Sequence, residues 1–332
     1  METKIKILVT GGTGLLGTKL LDEIDKDKYE VTIVRRLGSD KSFLYDDRVA
    51  FIELDITKPI PKEKITTDYS IIIHAASVFT YDKTNFHVNV ETTKNILEWG
   101  IKVNIYQFIF ISSCGVMGDV YSGLRDESFV ELPDNNYARS KLESERLVQE
   151  YSKKNDFSYT IIRPGLIYGL NDRGTGLINL IKYLDRKVVI VPCSGLNKKS
   201  LVSNVFLSEC IISSISNKEA YNEIFISVDS EAFSVRRIIE EIVKRFHTRV
   251  YVLYLPDIIS KVIASMINMV ENNFFNLGKA AYDIRKFRSN NIYSSKKIIE
   301  KLDLSESNLL LDELDSIVKD YRVRKSCPPD SR

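Results

Sequence analysis

Three side chains have the types and order needed for proton transfer beside a hydride acceptor: Ser113, Tyr137 and Lys141. Tyr137 and Lys141 are four residues apart, which on a helix puts them on one face, one turn apart. A phenol titrates near pH ~10 and is a poor acid–base catalyst at neutral pH. An adjacent ammonium and an oxidised nicotinamide favour the phenolate, and a shift of about 3 units corresponds to about 4 kcal/mol. Lys141 could also hold the nicotinamide ribose. Ser113 follows the apolar run Phe108 to Ile111, and its hydroxyl could hydrogen-bond the reacting oxygen opposite Tyr137. Tyr-x-x-x-Lys alone is common by chance; what gives it weight is its place after a glycine loop and a Ser-ended strand.

That loop is Thr10-Gly11-Gly12-Thr13-Gly14-Leu15-Leu16-Gly17, set where a strand ends and a helix begins. Gly11 can make the tight turn, Gly14 lets the backbone approach a pyrophosphate, and Gly17 lets the helix pack close to the strand. The exposed N–H groups and the positive end of the helix then bind phosphates. The context, strand before and amphipathic helix after, is the one a dinucleotide site requires. NAD binders usually carry an acidic residue about 20 residues past the glycines, for the ribose 2′-OH. Here Arg35 and Arg36 stand at that point, and two guanidiniums suit a 2′-phosphate. The expected cofactor is therefore NADP(H), with NAD(H) as the alternative. Asp55 and Ile56 end the third strand and could flank the adenine.

Positioning these groups takes an alternation of strands and helices. Strands are predicted over Ile5 to Thr10, Glu30 to Val34, Val49 to Leu54, Tyr69 to His74, Gln107 to Ser112 and Tyr159 to Arg163. Helices are predicted over Leu15 to Ile24, Asn85 to Gly100 and Tyr137 to Lys153. Ile71-Ile72-Ile73 and Phe108-Ile109-Phe110-Ile111 are apolar on both faces, as central parallel strands must be. The pattern is that of an α/β, Rossmann-type doubly wound parallel sheet. After about Pro164 the rhythm loosens. Helices over Leu177 to Leu184, Phe206 to Ile215, Val235 to Phe246, Ile258 to Val270 and Leu309 to Tyr321 alternate with strands over Val188 to Val191, Glu223 to Val228 and Val250 to Leu255. This predicts a dinucleotide-binding domain over 1–165 and a smaller, C-terminal substrate-binding lobe over 166–325, with some chain returning to the sheet. Residues 326–332 are expected to be a flexible tail. The apolar helix from Ile258 reads either as a membrane-surface element or as a helix packed on the small lobe.

Composition narrows the function classes. The chain has 332 residues, 47 Lys+Arg against 45 Asp+Glu, and 44% hydrophobic residues. The near-balance of charge argues against binding nucleic acid by bulk charge. The four cysteines are scattered and only three histidines exist (His74, His87, His247), so no zinc site is expected. No apolar run reaches the ~18 residues of a membrane span, and there is no signal-peptide core. A cytoplasmic protein is expected.

Taken together, the motifs resemble the extended short-chain dehydrogenase/reductases, in the NAD-dependent epimerase/dehydratase group. The resemblance rests on Thr10 to Gly17, His74-Ala75-Ala76, Asn89-Val90 with Thr93, Ser112-Ser113, Tyr137 with Lys141, and Arg163-Pro164-Gly165-Leu166-Ile167-Tyr168-Gly169. It implies that Ser113, Tyr137 and Lys141 form a catalytic triad. It implies that Ala75, Ala76, Asn89 and Ser112 line the cofactor, and that Pro164, Gly165 and Ile167 pass its nicotinamide. Ser77, Cys114 and Lys199 are the candidate substrate contacts, Lys199 near the phosphates of a nucleotide sugar; Arg285 or Arg288 could add a second cation. A homodimer, packed through the helices over Asn85 to Gly100 and Tyr137 to Lys153, is the family expectation. Two departures are visible. Met117 replaces the usual Tyr of Val-Tyr-Gly, and Thr92 replaces a Gly.

The resemblance also sorts reactions. Sugar dehydratases of the family place Asp-Glu directly after the catalytic hydroxyl residue, whereas Cys114-Gly115 follow here, which disfavours dehydration. Epimerase–reductases that use a Cys and a downstream His are disfavoured too, since no histidine lies between His87 and His247. The leading expectation is hydride transfer from NADPH to a 4-keto-sugar, with Tyr137 protonating the oxygen. Asn197 to Ser203 and Ser112 to Gly118 resemble segments of reductases of UDP-4-keto-6-deoxy-N-acetylhexosamines. The alternatives are a nucleotide-sugar 4-epimerase with retained NAD, a reductase of a lipid or sterol-like ketone, and a non-catalytic dinucleotide-binding subunit.

Overall fold

The computed structural model describes residues 3–36, 38, 46–64, 67–78, 84–119, 123–172, 174, 176–246, 249–271 and 287–326. His247, Arg285, Cys327 and the rest of the tail lie outside these residues.

Seven parallel strands form the main sheet: β1 (Ile5–Thr10), β2 (Tyr29–Arg35), β3 (Ala50–Glu53), β4 (Ile71–His74), β5 (Gln107–Ile111), β7 (Ser158–Pro164) and β12 (Glu223–Ser227). Their spatial order is β12-β7-β5-β4-β1-β2-β3. The order reverses at β1, so the crevice beyond the carboxyl ends of β1 and β4 is the topological switch point where such sheets bind ligands. This is a Rossmann-type fold.

Strict alternation along the strands divides the core. Ile7, Val9, Ile71, Ile73, Ile109 and Ile111 pack on one face with α1 (Leu15–Glu23) and α5 (Asn204–Ser214). Leu8, Ile72, Phe108 and Phe110 pack on the other with residues of α2 (Thr84–Lys102) and α3 (Asn136–Lys154). The interior strands are buried on both faces, which is why they read as unbroken apolar runs. α3 starts at Asn136 because the Asn135 side chain accepts a bond from Ala138 N at 2.9 Å, one of the orphan donors of the first turn.

A second core holds α4 (Gly176–Leu184), α6 (Val235–Lys244), the helix Leu310–Ser326 and one face of β9 (Val188–Val191). β9 pairs in parallel with β14 (Tyr251–Tyr254). α7 (Asp257–Glu271) follows that pair. The chain returns to the main sheet through the strand over 223–227, which pairs with β7 at the sheet edge, Glu223 opposite Thr160. Helix Lys296–Leu302 packs on the main sheet through Ile298 and Leu302, and was not anticipated. Among the described residues, no helix is long and apolar enough to cross a membrane.

Candidate active site

The glycine loop takes the form that a pyrophosphate site needs. Gly11 has φ +75°, a left-handed conformation, and a Cβ there would lie 2.7 Å from Ala76 N. A Cβ on Gly17 would lie 2.2 Å from Gly11 O, so helix and turn meet backbone to backbone. Gly14 N donates to Gly11 O at 3.0 Å, and Gly14 caps α1 with no side-chain bond. The first-turn N–H groups of Leu15 and Leu16, next to Thr13 and Gly14, are thus left to a ligand rather than spent on a side-chain cap. An anion fits this cradle. A dinucleotide bound there would be a source and sink of hydride, held by Gly11 to Gly17 and flanked by Ala75 and Ala76.

A buried polar chain ties this loop to α3. Thr10 Oγ1 bonds His74 Nδ1 at 2.6 Å and also accepts from Ala76 N at 3.2 Å. His74 Nε2 faces Thr93 Oγ1 at 3.2 Å, and Thr93 bonds Asn89 O and Ser144 Oγ. Asn89 Nδ2 donates to Ser140 Oγ at 3.0 Å, and Ser140 Oγ donates to Tyr137 O at 2.8 Å. Burial pushes the His74 imidazole down to about 3, with the Lys141 charge adding to it, so the ring stays neutral. Asn89 is therefore a brace beneath the loop: its Oδ1 also accepts from Val78 N at 2.8 Å.

Tyr137 and Lys141 share one face of α3 as the spacing requires. Lys141 Nζ donates to Ile111 O at 2.8 Å, lies 4.9 Å from the Phe110 ring centroid, and lies 5.9 Å from that of Tyr137. Burial pushes its ammonium down to about 7, opposed by the charge of Glu145. Burial also raises the Tyr137 phenol, while a hydrogen bond to Ser77 lowers it. Ser77 thus sits at the Tyr137 hydroxyl. Ser113 Oγ accepts from Gly115 N at 3.0 Å. A Cβ built on Gly115 would lie 3.2 Å from Ser113 Oγ and 3.7 Å from Ala138 Cβ, so Ser113 and the start of α3 adjoin. Neighbouring Ser112 donates to Glu145 Oε1, four residues on from Lys141, and Glu145 pairs with Arg163 at 2.6 Å. Sequence reasoning missed Glu145, although its i,i+4 spacing from Lys141 puts it on the same helix face.

The depressed Lys141 makes a stability prediction for the cofactor-free protein. With a folded value of about 7 against 10.5 for a free lysine, the unfolded chain holds more protons between those pH values. Stability therefore rises with pH across that window. Lys141→Met lacks this dependence. Its stability advantage over the parent in urea denaturation should shrink as pH rises from 7 toward 10; parallel profiles would show that Lys141 is charged in the fold.

Several sequence-named residues prove to sit differently from what their types suggested. Cys114 does not reach the cleft: it is 2% exposed, its Sγ donates to Arg163 O at 3.2 Å, and burial raises its thiol. It packs with Val116, Met117 and Leu142 beneath Ser113. Arg35 and Arg36 do not form a paired cationic rim. Arg35 is 3% exposed, bonds Glu53 Oε1 at 2.6 Å and stacks on Phe51 at 4.0 Å, while Arg36 is exposed. Asp55 is exposed and accepts from Thr57 N and Oγ1 in a tight turn; Ile56 is buried in the core. Pro164 ends β7 and is buried, and a Cβ on Gly165 would meet Ser200 O at 2.9 Å, so the strand passes close to the lobe. Ile167 packs against the α1-side core. Lys199 Nζ donates to Ser289 Oγ at 2.9 Å, which in turn donates to Asp119. Arg288 keeps a buried Nε with no partner among the described residues.

The family model for the NAD dependent epimerase/dehydratase family matches residues 7–201. The chain belongs to that family. Its sequence is 25% identical over 271 residues to an N-acetyl-α-D-glucosaminyl-diphospho-ditrans,octacis-undecaprenol 4-epimerase of Escherichia coli O157:H7, covering 77% of this chain and 80% of that one. It is 28% identical over 252 residues to the UDP-glucose 4-epimerase of Vibrio cholerae, covering 71% and 74%. The fold matches the UDP-glucuronic acid 4-epimerase of Bacillus cereus, solved with UDP-glucuronic acid and NAD, at a TM-score of 0.78 and 20% identity, over 96% and 99% of the two chains. As a family member the chain is an enzyme of the extended short-chain dehydrogenase/reductase type.

Proposed function

We propose that the enzyme is a 4-epimerase of a sugar carried on a diphosphate, with Tyr137 handling the proton at O4. The Tyr137–Lys141 pair carries this reading: a phenol beside Ser77, and a buried ammonium one turn away on the same helix face. A dinucleotide held by Gly11 to Gly17 would supply hydride exchange at C4, removing hydride from one face of the sugar carbon and returning it to the other. Tyr137, as phenolate, takes the O4 proton in the oxidising half and gives it back in the reducing half. Ser113 holds the reacting oxygen from the opposite side. Lys141, where its Nζ holds a proton in the complex, favours the phenolate by its charge. The thiol next to Ser113 offers no second acid or base, because Cys114 is buried and its Sγ donates to Arg163 O. The chemistry is then confined to hydride and proton exchange at one carbon. Two relatives named as 4-epimerases, each overlapping more than two-thirds of this chain, support the reading. The substrates in their names, UDP-glucose and a diphospho-undecaprenol sugar, have the diphosphate in common. Lys199, on the lobe side, is the cation proposed to face it.

A second reading, reduction of a 4-keto-sugar by NADPH, is favoured by Arg35. Its Nε and Nη1 are buried with no partner among the described residues, and Arg36 stands next to it. The purified protein should be inspected for co-purified cofactor and then titrated with NAD⁺, NADH, NADP⁺ and NADPH. Retained or preferred NAD(H), with interconversion of UDP-sugars in the absence of added reductant, is the result expected. Exchangeable binding that strongly prefers NADPH, with no interconversion, would overturn the epimerase and establish the reductase.

A further inference from the structure

The β9–β14 ribbon breaks the usual rule for a half-buried sheet. Its inner face, Val189 and Val191 with Val252 and Tyr254, packs on the lobe core. Its outer face should alternate to polar residues. Instead it presents Val188 (64% exposed), Ile190 (48%), Tyr251 (60%) and Leu253 (56%). The register sets Val188 beside Tyr251 and Ile190 beside Leu253, so the four form one contiguous patch. α7 follows within three residues and exposes Ile258, Ile259 and Val262 along one stripe.

Charge tells what covers this face. Exposed Arg186 and Lys187 lead into β9, and exposed Arg249 leads into β14. Tyr251 N donates to Lys187 O at 2.9 Å, which brings the two lead-ins together at one end of the ribbon. Residues 186–191 and 249–254 contain no carboxylate. Asp185, just before them, is already engaged by Lys325 and Tyr321. A second copy meeting this face about a two-fold axis along the strands would bring like charges together. An apolar plane with a tyrosine and a cationic rim matches instead the boundary between lipid headgroups and acyl chains.

We infer that the outer face of the β9–β14 ribbon docks on a lipid bilayer carrying anionic headgroups. The apolar side chains enter the headgroup boundary and the three cations contact lipid phosphates. The enzyme is then peripheral, and among the described residues no helix is long and apolar enough to cross the bilayer. This docking is separate from the reaction at Tyr137 and stands whether that reaction is epimerisation or reduction.

Co-sedimentation of the whole protein with vesicles tests it. The protein should pellet with phosphatidylglycerol-containing vesicles and stay in solution with pure phosphatidylcholine. Lys187→Glu/Arg249→Glu should weaken partitioning at least about 30-fold, from roughly one kcal/mol for each cation lost. Ile190→Ser/Leu253→Ser should abolish it. Unchanged thermal unfolding shows that the variants are folded. Absence of the protein from the anionic pellet, or charge variants that pellet like the parent, would overturn the inference. So would a dimer that dissociates on Ile190→Ser/Leu253→Ser in a protein that ignores vesicles, since the face would then join two copies.

Discussion

Tyr137→Phe should lower kcat by two to four orders of magnitude while leaving dinucleotide affinity within a few-fold of the parent. The magnitude is that of a positioned general acid–base group. The split between turnover and binding follows from the geometry. The phosphates of a bound dinucleotide would lie on the Gly11 to Gly17 cradle, and Lys141 is anchored to Ile111 O. Neither contact passes through the phenolic oxygen. The variant keeps the ring, so packing at the start of α3 is unchanged. Tyr137 bonds Ser77, and burial without a cofactor raises its phenol. The phenolate must therefore be made available by charge arriving in the site, from Lys141 and from an oxidised nicotinamide. In the parent, turnover should consequently fall as pH drops through the titration of Tyr137 in the complex. In Tyr137→Phe the residual rate should lose that pH step. Near-parent turnover, or an unaltered pH profile on a reduced rate, would remove Tyr137 from the chemistry.

The elements that hold this site were readable from sequence where the signal is local. β1, the glycine turn and α1 lie within nineteen consecutive residues, Ile5 to Glu23, and each has its own pattern. α3 announces itself by its Tyr–Lys spacing. Partnership between distant segments was not readable. Glu223 to Ser227 has the composition of any short buried strand, and nothing in it names β7, sixty-three residues away, as its neighbour. Strands of two residues, Leu124–Arg125 and Ile292–Tyr293, are too short to show a period. Buried charges were the hardest to see. α3 is rich in Glu, Lys and Arg, which reads as a solvated face, yet Lys141 and Glu145 are each only 2% exposed. Arg35 looked like a free guanidinium because its partner, Glu53, arrives from the next strand. A sequence displays the charge but hides the counter-charge whenever the two come together only through the fold.

That hidden pairing is where the largest stability change is expected. Arg163, at the end of β7, donates to Glu145 through Nε at 3.0 Å and Nη2 at 2.6 Å, and to Glu131 at 2.7 Å. The side chains of Arg163 and Glu145 are 1% and 2% exposed. Their attraction offsets a desolvation cost that neither could bear alone. Arg163→Met leaves the Glu145 carboxylate buried with, among the described residues, only Ser112 Oγ to bond it, and should destabilise by about 3–5 kcal/mol in urea denaturation. Glu145→Leu should cost less, because Arg163 retains Glu131, which is partly exposed. The double replacement should recover much of the Arg163→Met loss, since removing both charges removes the uncompensated burial. The same double variant deprives Ser112 of its carboxylate partner, one residue before Ser113. It should therefore fold well and turn over slowly. Single losses that simply add would show the pair to be uncoupled, and Arg163→Met within about 1 kcal/mol of the parent would show that water reaches Glu145. A stable but slow double variant would mean that the ion pair is kept to fix the Ser112–Ser113 turn against α3, rather than to hold the fold together.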